Sequence, residues 1–259
     1  MTISPEAKSL KPRTYRPRYS DGCDDDGYLM SDGKPMAESV KHRDTMFYAI
    51  SALQSYFGDR PDIYVSGNDF VHFVEGNRKS YLSPDTYVVF GVDNRKDRDN
   101  FKTWEEGANP AVVFEFTSKE TKNVDLNKKR TTYEQIMRVS EYFLFDPKGE
   151  YLKPRLRGMR LEQGRYRDLE LNTENRLYSE ELNLFLGYEG EEFRFYQPIT
   201  GVALLSPKET TEALKTELER AERAEQSFLV ERERAERAEA ETAQLRAELQ
   251  ALEQNREQS

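Results

Sequence analysis

The spacing of apolar residues along the chain changes period several times, and each change marks an element. Met46, Ile50, Leu53 and Phe57 recur at three- and four-residue intervals. That spacing predicts an amphipathic helix beginning near Pro35 or Met36 and stopped by Gly58-Asp59-Arg60-Pro61. Short β-type runs follow at Ile63 to Val65 and Phe70 to Val74, joined through Gly67-Asn68. A turn at Glu75-Gly76-Asn77 leads to Tyr81 and then to a strand over Tyr87 to Phe90, giving a helix followed by antiparallel strands. Gly91 to Asn109 is a long polar connection with Trp104 as its large apolar anchor, a length that usually signals function or partial order.

The run Ala111-Val112-Val113-Phe114-Glu115-Phe116 is apolar at nearly every position, as a strand covered on both faces must be. A helix is expected over Asp125 to Val139, with Leu126, Tyr133, Ile136 and Met137 on its buried side. A strand over Tyr142 to Phe145 follows, closed by Asp146-Pro147. Strand, helix, strand predicts a crossover and locally parallel pairing. After Gly149, Met159 to Leu161 and Tyr166 flank a Glu162-Gln163-Gly164 turn, and Phe193 to Tyr196 runs into Pro198. Polar residues alternate with apolar ones there, as in strands wet on one side.

The two ends differ from this middle. Residues 1–30 carry Lys8, Lys11, Arg13, Arg16 and Arg18 among prolines and tyrosines, then an acidic run from Asp21 to Asp26, with no apolar period. They predict a flexible leader, either solvated or touching phosphate, ahead of a folded domain at 31–206. From 207 to 259 the segment Glu219 to Glu225 recurs two heptads later as Glu233 to Glu239. With Leu214 at position a, nine of twelve a and d residues are apolar, four of them alanine. A coiled-coil helix that joins copies of the chain is expected, the alternative being a lone helix held by Glu/Arg pairs.

Composition narrows the possibilities. A single cysteine, Cys23, excludes an intrachain disulfide and a cysteine zinc cluster, and fits a reducing cytoplasm. Met1-Thr2-Ile3-Ser4-Pro5 lacks the apolar core of a signal peptide and no run approaches membrane-spanning length, so neither secretion nor membrane insertion is expected. The net charge is −9, of which −5 lies from Lys208 onward. A protein that coats DNA is normally basic, so the charge weighs against tight general DNA binding.

Chemistry concentrates on two acids. Glu115 sits inside an apolar strand, where a carboxylate is costly unless a cation meets it. Asp85 follows Pro84 at the start of another strand. Two carboxylate oxygens from adjacent strands suit a divalent metal, Mg²⁺ or Mn²⁺, as phosphodiester hydrolysis requires. Lys128 or Lys129 could supply the cation that steadies charge on the phosphate, and Glu38 could complete the metal shell or orient water. His42 reads as a surface or packing histidine, remote in sequence from His72.

Pro84-Asp85, Glu115 with Phe116-Thr117-Ser118, Asp125-Leu126 ahead of Lys129, Tyr133, and Glu141 to Pro147 together resemble the Uma-type restriction endonuclease family of the PD-(D/E)XK superfamily. The resemblance covers roughly residues 31 to 205. It implies an α/β fold, a restriction-endonuclease-like core with a mixed central sheet and flanking helices, here extended by the C-terminal coiled-coil helix. It also implies metal-dependent cleavage of DNA. Asp85 and Glu115 match the metal-binding acids, Lys129 the lysine at its helical position, and Glu38 the acid of the first helix. The superfamily pattern places lysine two residues after Glu115, where this chain has Thr117; Lys119 and Lys128 are the other candidates. The alternative reading is a catalytically inactive nuclease-fold module acting as a nucleic-acid- or protein-binding scaffold. A phosphodiesterase for another nucleotide substrate is a third.

Overall fold

A computed structural model describes residues 22–31, 39–58, 60–117 and 124–257. In chain order the elements are α1 (Val40–Phe57), β1 (Ile63–Ser66), β2 (Val71–His72), β3 (Tyr81–Leu82), β4 (Thr86–Phe90), β5 (Phe101–Lys102), α2 (Thr103–Glu106) and β6 (Val112–Phe116). Two π-wound segments follow, Val124–Lys129 and Thr132–Met137, then β7 (Glu141–Phe145), β8 (Leu156–Glu162), β9 (Arg165–Asp168), β10 (Leu177–Ser179), β11 (Leu184–Glu189), β12 (Glu192–Tyr196) and α3 (Pro207–Glu257).

The centre is a six-stranded mixed sheet in the order β1-β4-β6-β7-β8-β9. β6 and β7 run parallel through the expected crossover, and the other neighbours are antiparallel. All five residues of β6 and of β7 are buried, because both faces of the sheet are covered. Val112, Phe114 and Phe116 enter one apolar cluster with Met46, Ala49 and Leu53 of α1 and with Phe193 and Phe195 of β12. Val113 enters the cluster on the other face with Tyr133, Met137, Tyr142 and Leu144. Each fully buried side chain of this kind contributes about 1.5–3 kcal/mol. The two β-clusters flanking the main sheet are β10-β11-β12 and β3-β2-β5.

Several expectations are corrected. α1 begins at Val40 rather than near Pro35, because Ser39 is its N-cap and its Oγ accepts from His42 N–H at 3.2 Å. β1 and β2 do not pair: Asn68 takes a left-handed turn, φ 61°, and its N–H donates to the Pro84 carbonyl at 2.7 Å. β1 therefore pairs with β4, while β2 joins β3 and β5 in a separate sheet. The long polar connection contains β5 and the single turn α2. Ile136 is 54% exposed instead of buried, since i→i+5 winding moves it off the face that buries Tyr133 and Met137. The strands β10 and β11 were not foreseen.

The leader is not solvated up to residue 30. Cys23 and Leu29 form an antiparallel bridge, and Tyr28 is buried with its hydroxyl accepting from Gly76 N–H at 2.9 Å. The Tyr28 ring lies 5.1 Å from His72 and 5.2 Å from Trp104, and Lys102 Nζ sits 4.9 Å above it. Lys102 also meets Asp24 at 2.9 Å and Asp26 at 3.0 Å, so an aromatic and an ionic anchor hold this stretch together.

The chain divides between Leu204 and Leu205 into two units. The second, Leu205–Ser259, contains the 51-residue α3, about 76 Å long at 1.5 Å per residue. Ser206 and Glu209 form a capping box at its start: Ser206 Oγ accepts from Glu209 N–H, and Glu209 Oε2 accepts from Ser206 N–H at 2.7 Å. Among the described residues no helix is long and apolar enough to cross a membrane.

Candidate active site

Glu115 is the fourth residue of β6, near its carboxyl end, and its side chain shares a face with Val113. The antiparallel register pairs Thr86 with Phe114, and one further step sets Asp85 across from Glu115. The carboxyl end of a central strand is where open α/β sheets commonly present ligand-binding groups.

Asp85 is held by backbone on two sides. Its Oδ2 accepts from Phe116 N–H at 2.6 Å. The neighbouring Gly67 approaches so closely that a Cβ there would stand 2.1 Å from the Asp85 carbonyl oxygen. Glycine is therefore required by space at this turn, without any unusual φ.

Glu115 is 1% exposed, and two side chains from the π-wound stretch meet it. Lys129 Nζ donates to Oε2 at 2.6 Å and reaches the Ser83 carbonyl at 3.4 Å. Tyr133 donates its hydroxyl to Oε1 at 2.8 Å. Burial pushes the Tyr133 phenol well above its ordinary value, and the negative charge of Glu115 adds to the effect, as, more weakly, does that of Asp85. Tyr133 thus stays a proton donor, and one hydroxyl feels both acids. An unpaired carboxylate at this depth would be strongly unfavourable; the ammonium and hydroxyl offset that.

His42, from α1 on the other side of the sheet, places Nε2 3.3 Å from Asp85 Oδ1, and its ring stands edge-on to Phe116 at 6.4 Å. Asp85 is thus met by His42 from the α1 layer, while Lys129 and Tyr133 of the other layer meet Glu115.

Of the residues expected at the site, Asp85, Glu115 and Lys129 come together. Lys128 is exposed. Glu38 and Lys119 lie outside the described residues. His42 and Tyr133 are the neighbours that sequence reasoning missed as site residues. Tyr133 left a signal: it follows Lys129 by four positions, a spacing at which helical side chains can meet one target. His42 left none, because its partner is 43 residues away in a different layer.

The oxygen donors are hard ligands suited to Mg²⁺ or Mn²⁺, and magnesium is commonly held by one or two carboxylates with water and phosphate completing its shell. Each carboxylate oxygen has a second lone pair beyond the contact it makes here. Among the described residues no group of three or more His, Cys, Asp or Glu is gathered for a metal.

By fold and site this is a mixed α/β protein with facing carboxylates and a lysine at the end of its central strands. A family model described as "Uma2: Putative restriction endonuclease" matches residues 24–189, and the chain belongs to that family. Among solved structures the chain is similar to "a putative nuclease belonging to DUF820 from Anabaena variabilis ATCC 29413". That match has 14% identity, covers 59% of this chain and 81% of the other, and has a TM-score of 0.42. No curated protein matches.

Proposed function

We propose that the chain is a divalent-metal-dependent endonuclease that hydrolyses DNA phosphodiester bonds. The observation that carries this reading is the Lys129–Glu115 contact at 2.6 Å, set opposite Asp85 in the register of two adjacent strands. Asp85 and Glu115 would hold Mg²⁺ or Mn²⁺, which when bound acidifies water and offsets charge on the phosphate. Tyr133 and the Phe116 N–H keep the two carboxylates oriented. Lys129 faces the scissile phosphate and stabilises the charge that builds on its oxygens. His42 is assigned a positioning role beside Asp85, and Glu38 is assigned to complete the metal shell or orient the water. A single cysteine and this substrate fit the cytoplasm, and α3 joins copies of the chain through a coiled coil.

Purified protein incubated with single- and double-stranded DNA and Mg²⁺ or Mn²⁺ tests the proposal. Asp85→Ala and Glu115→Ala should each abolish cleavage and calorimetric Mn²⁺ binding. Wild type that cuts neither substrate under any divalent metal would sink it.

A second reading is a catalytically inactive module serving as a nucleic-acid- or protein-binding scaffold. On its side stand a net charge of −9 and the protein contacts already made by both carboxylates. Calorimetry separates the two, because a scaffold has no need of Mn²⁺ at these acids.

A further inference from the structure

α3 is exposed at every residue from 210 to 247. A helix of this length with an uncovered apolar stripe draws most of its stability from packing against something. With Leu214 at position a, the stripe comprises Leu214, Ala221, Phe228 and Ala235 at a, and Ala224, Ala238 and Leu245 at d. Leu214, Phe228 and Leu245 are 61%, 67% and 57% exposed. Two acids interrupt the d positions, and each has an arginine three residues on. Arg220 lies 3.6 Å from Glu217, and Arg234 lies 4.0 Å from Glu231. Their charge is thus offset within one helix.

The flanking positions discriminate between orientations. In a parallel, in-register pair, each g residue faces the e residue five positions on in its partner. Arg220 then meets Glu225, Arg234 meets Glu239, and Glu241 meets Arg246, three pairs of opposite sign against one like-sign pair, Glu248 with Glu253. In an antiparallel pair with full overlap, e faces e and g faces g. Glu225 would meet Glu239, while Arg232 and Arg234 would each meet their own copy. Those are like-sign contacts, set against one of opposite sign, Arg220 with Glu248. The four alanines at 221, 224, 235 and 238 also make a narrow seam, which suits two helices and would leave a larger bundle's core unfilled.

We propose that α3 pairs with α3 of a second copy of this chain as a parallel, in-register, two-stranded coiled coil. Both family domains are then tethered at the same end of the coil, as a pair acting on the two strands of one duplex would require. The pairing rests on the oligomer part of the function proposed above and is independent of its metal chemistry.

The test uses the full chain with Cys23→Ser as background. Ala221→Cys should form an interchain disulfide by itself on mild oxidation, and light scattering of wild type should give twice the 30.3 kDa chain mass. Arg220→Glu with Arg234→Glu should weaken the dimer roughly tenfold, and adding Glu225→Arg with Glu239→Arg should restore it. A monomer or a trimer by light scattering overturns the proposal. So does a cross-link that forms only when Ala221→Cys is mixed with Leu245→Cys, the antiparallel outcome. Mn²⁺ binding measured on the same samples reports separately on the nuclease reading, so either can fail without the other.

Discussion

Replacing Lys129 with methionine removes the ammonium and keeps most of the side-chain stem. Glu115, 1% exposed, then keeps the Tyr133 hydroxyl but loses its cation at 2.6 Å. Breaking a buried ion pair by deleting one partner costs about 3–5 kcal/mol. Lys129 itself is 16% exposed, which admits some water to the gap and brings the cost to roughly 2–3 kcal/mol. For a chain of this size about 2–4 °C accompanies each kcal/mol, so the melting temperature should fall by roughly 4–12 °C. Divalent metal should reverse the loss. An ion held by Asp85 and Glu115 resupplies positive charge, and free metal at a hundred times its Kd stabilises by about 2.7 kcal/mol. Melting curves of wild type and Lys129→Met with EDTA or Mn²⁺ measure both effects, and Asp85→Asn in the same background should remove the rescue. If Lys129→Met melts within about 1 °C of wild type, Lys129 does not compensate Glu115. If Mn²⁺ raises the melting temperature of neither protein, no metal binds there.

Tyr133→Phe should cost about 1–3 kcal/mol by leaving Glu115 short of a buried donor, and its effect on melting should be non-additive with Lys129→Met because both side chains serve one carboxylate. Gly67→Ala forces a Cβ to within 2.1 Å of the Asp85 carbonyl oxygen, so calorimetry should show weakened Mn²⁺ binding alongside a melting loss equivalent to about 1–3 kcal/mol. His72 is buried with Nε2 2.9 Å from the Leu29 carbonyl, and burial lowers its pKa below the usual 6.5. Below that value the unfolded chain therefore binds the proton more readily than the folded one. Stability should fall as pH drops from about 7 toward 5, by at most about 1.4 kcal/mol per pH unit from this group, and His72→Gln should flatten that slope in melting curves.

The segments that carry their own period were legible in the sequence. The apolar run around Glu115 reads as a buried strand, and the strand-helix-strand order suggests the parallel pairing of β6 and β7. The heptads of α3 likewise announced a long helix. Such patterns are local, because burial repeats at the period of the element that carries it. The cost of burying a lone carboxylate also points, from sequence alone, to Glu115 and to a cation near it.

Tertiary structure decided what depends on which segments become neighbours. The β1–β4 pairing follows from the Gly67-Asn68 turn docking on Pro84-Asp85, a contact that strand periodicity does not encode. The anchoring of residues 22–31 depends on Lys102, Trp104 and His72 converging from separate strands and turns. His42 reaches Asp85 only because α1 packs over the sheet where the interior strand β4 begins. Ile136 faces outward because π winding shifts the helical face, a choice made by Tyr133 and Met137 filling the core beneath. Period sets which side of an element is buried; the order of strands in the sheet sets which buried groups meet, and that order is a property of the whole chain.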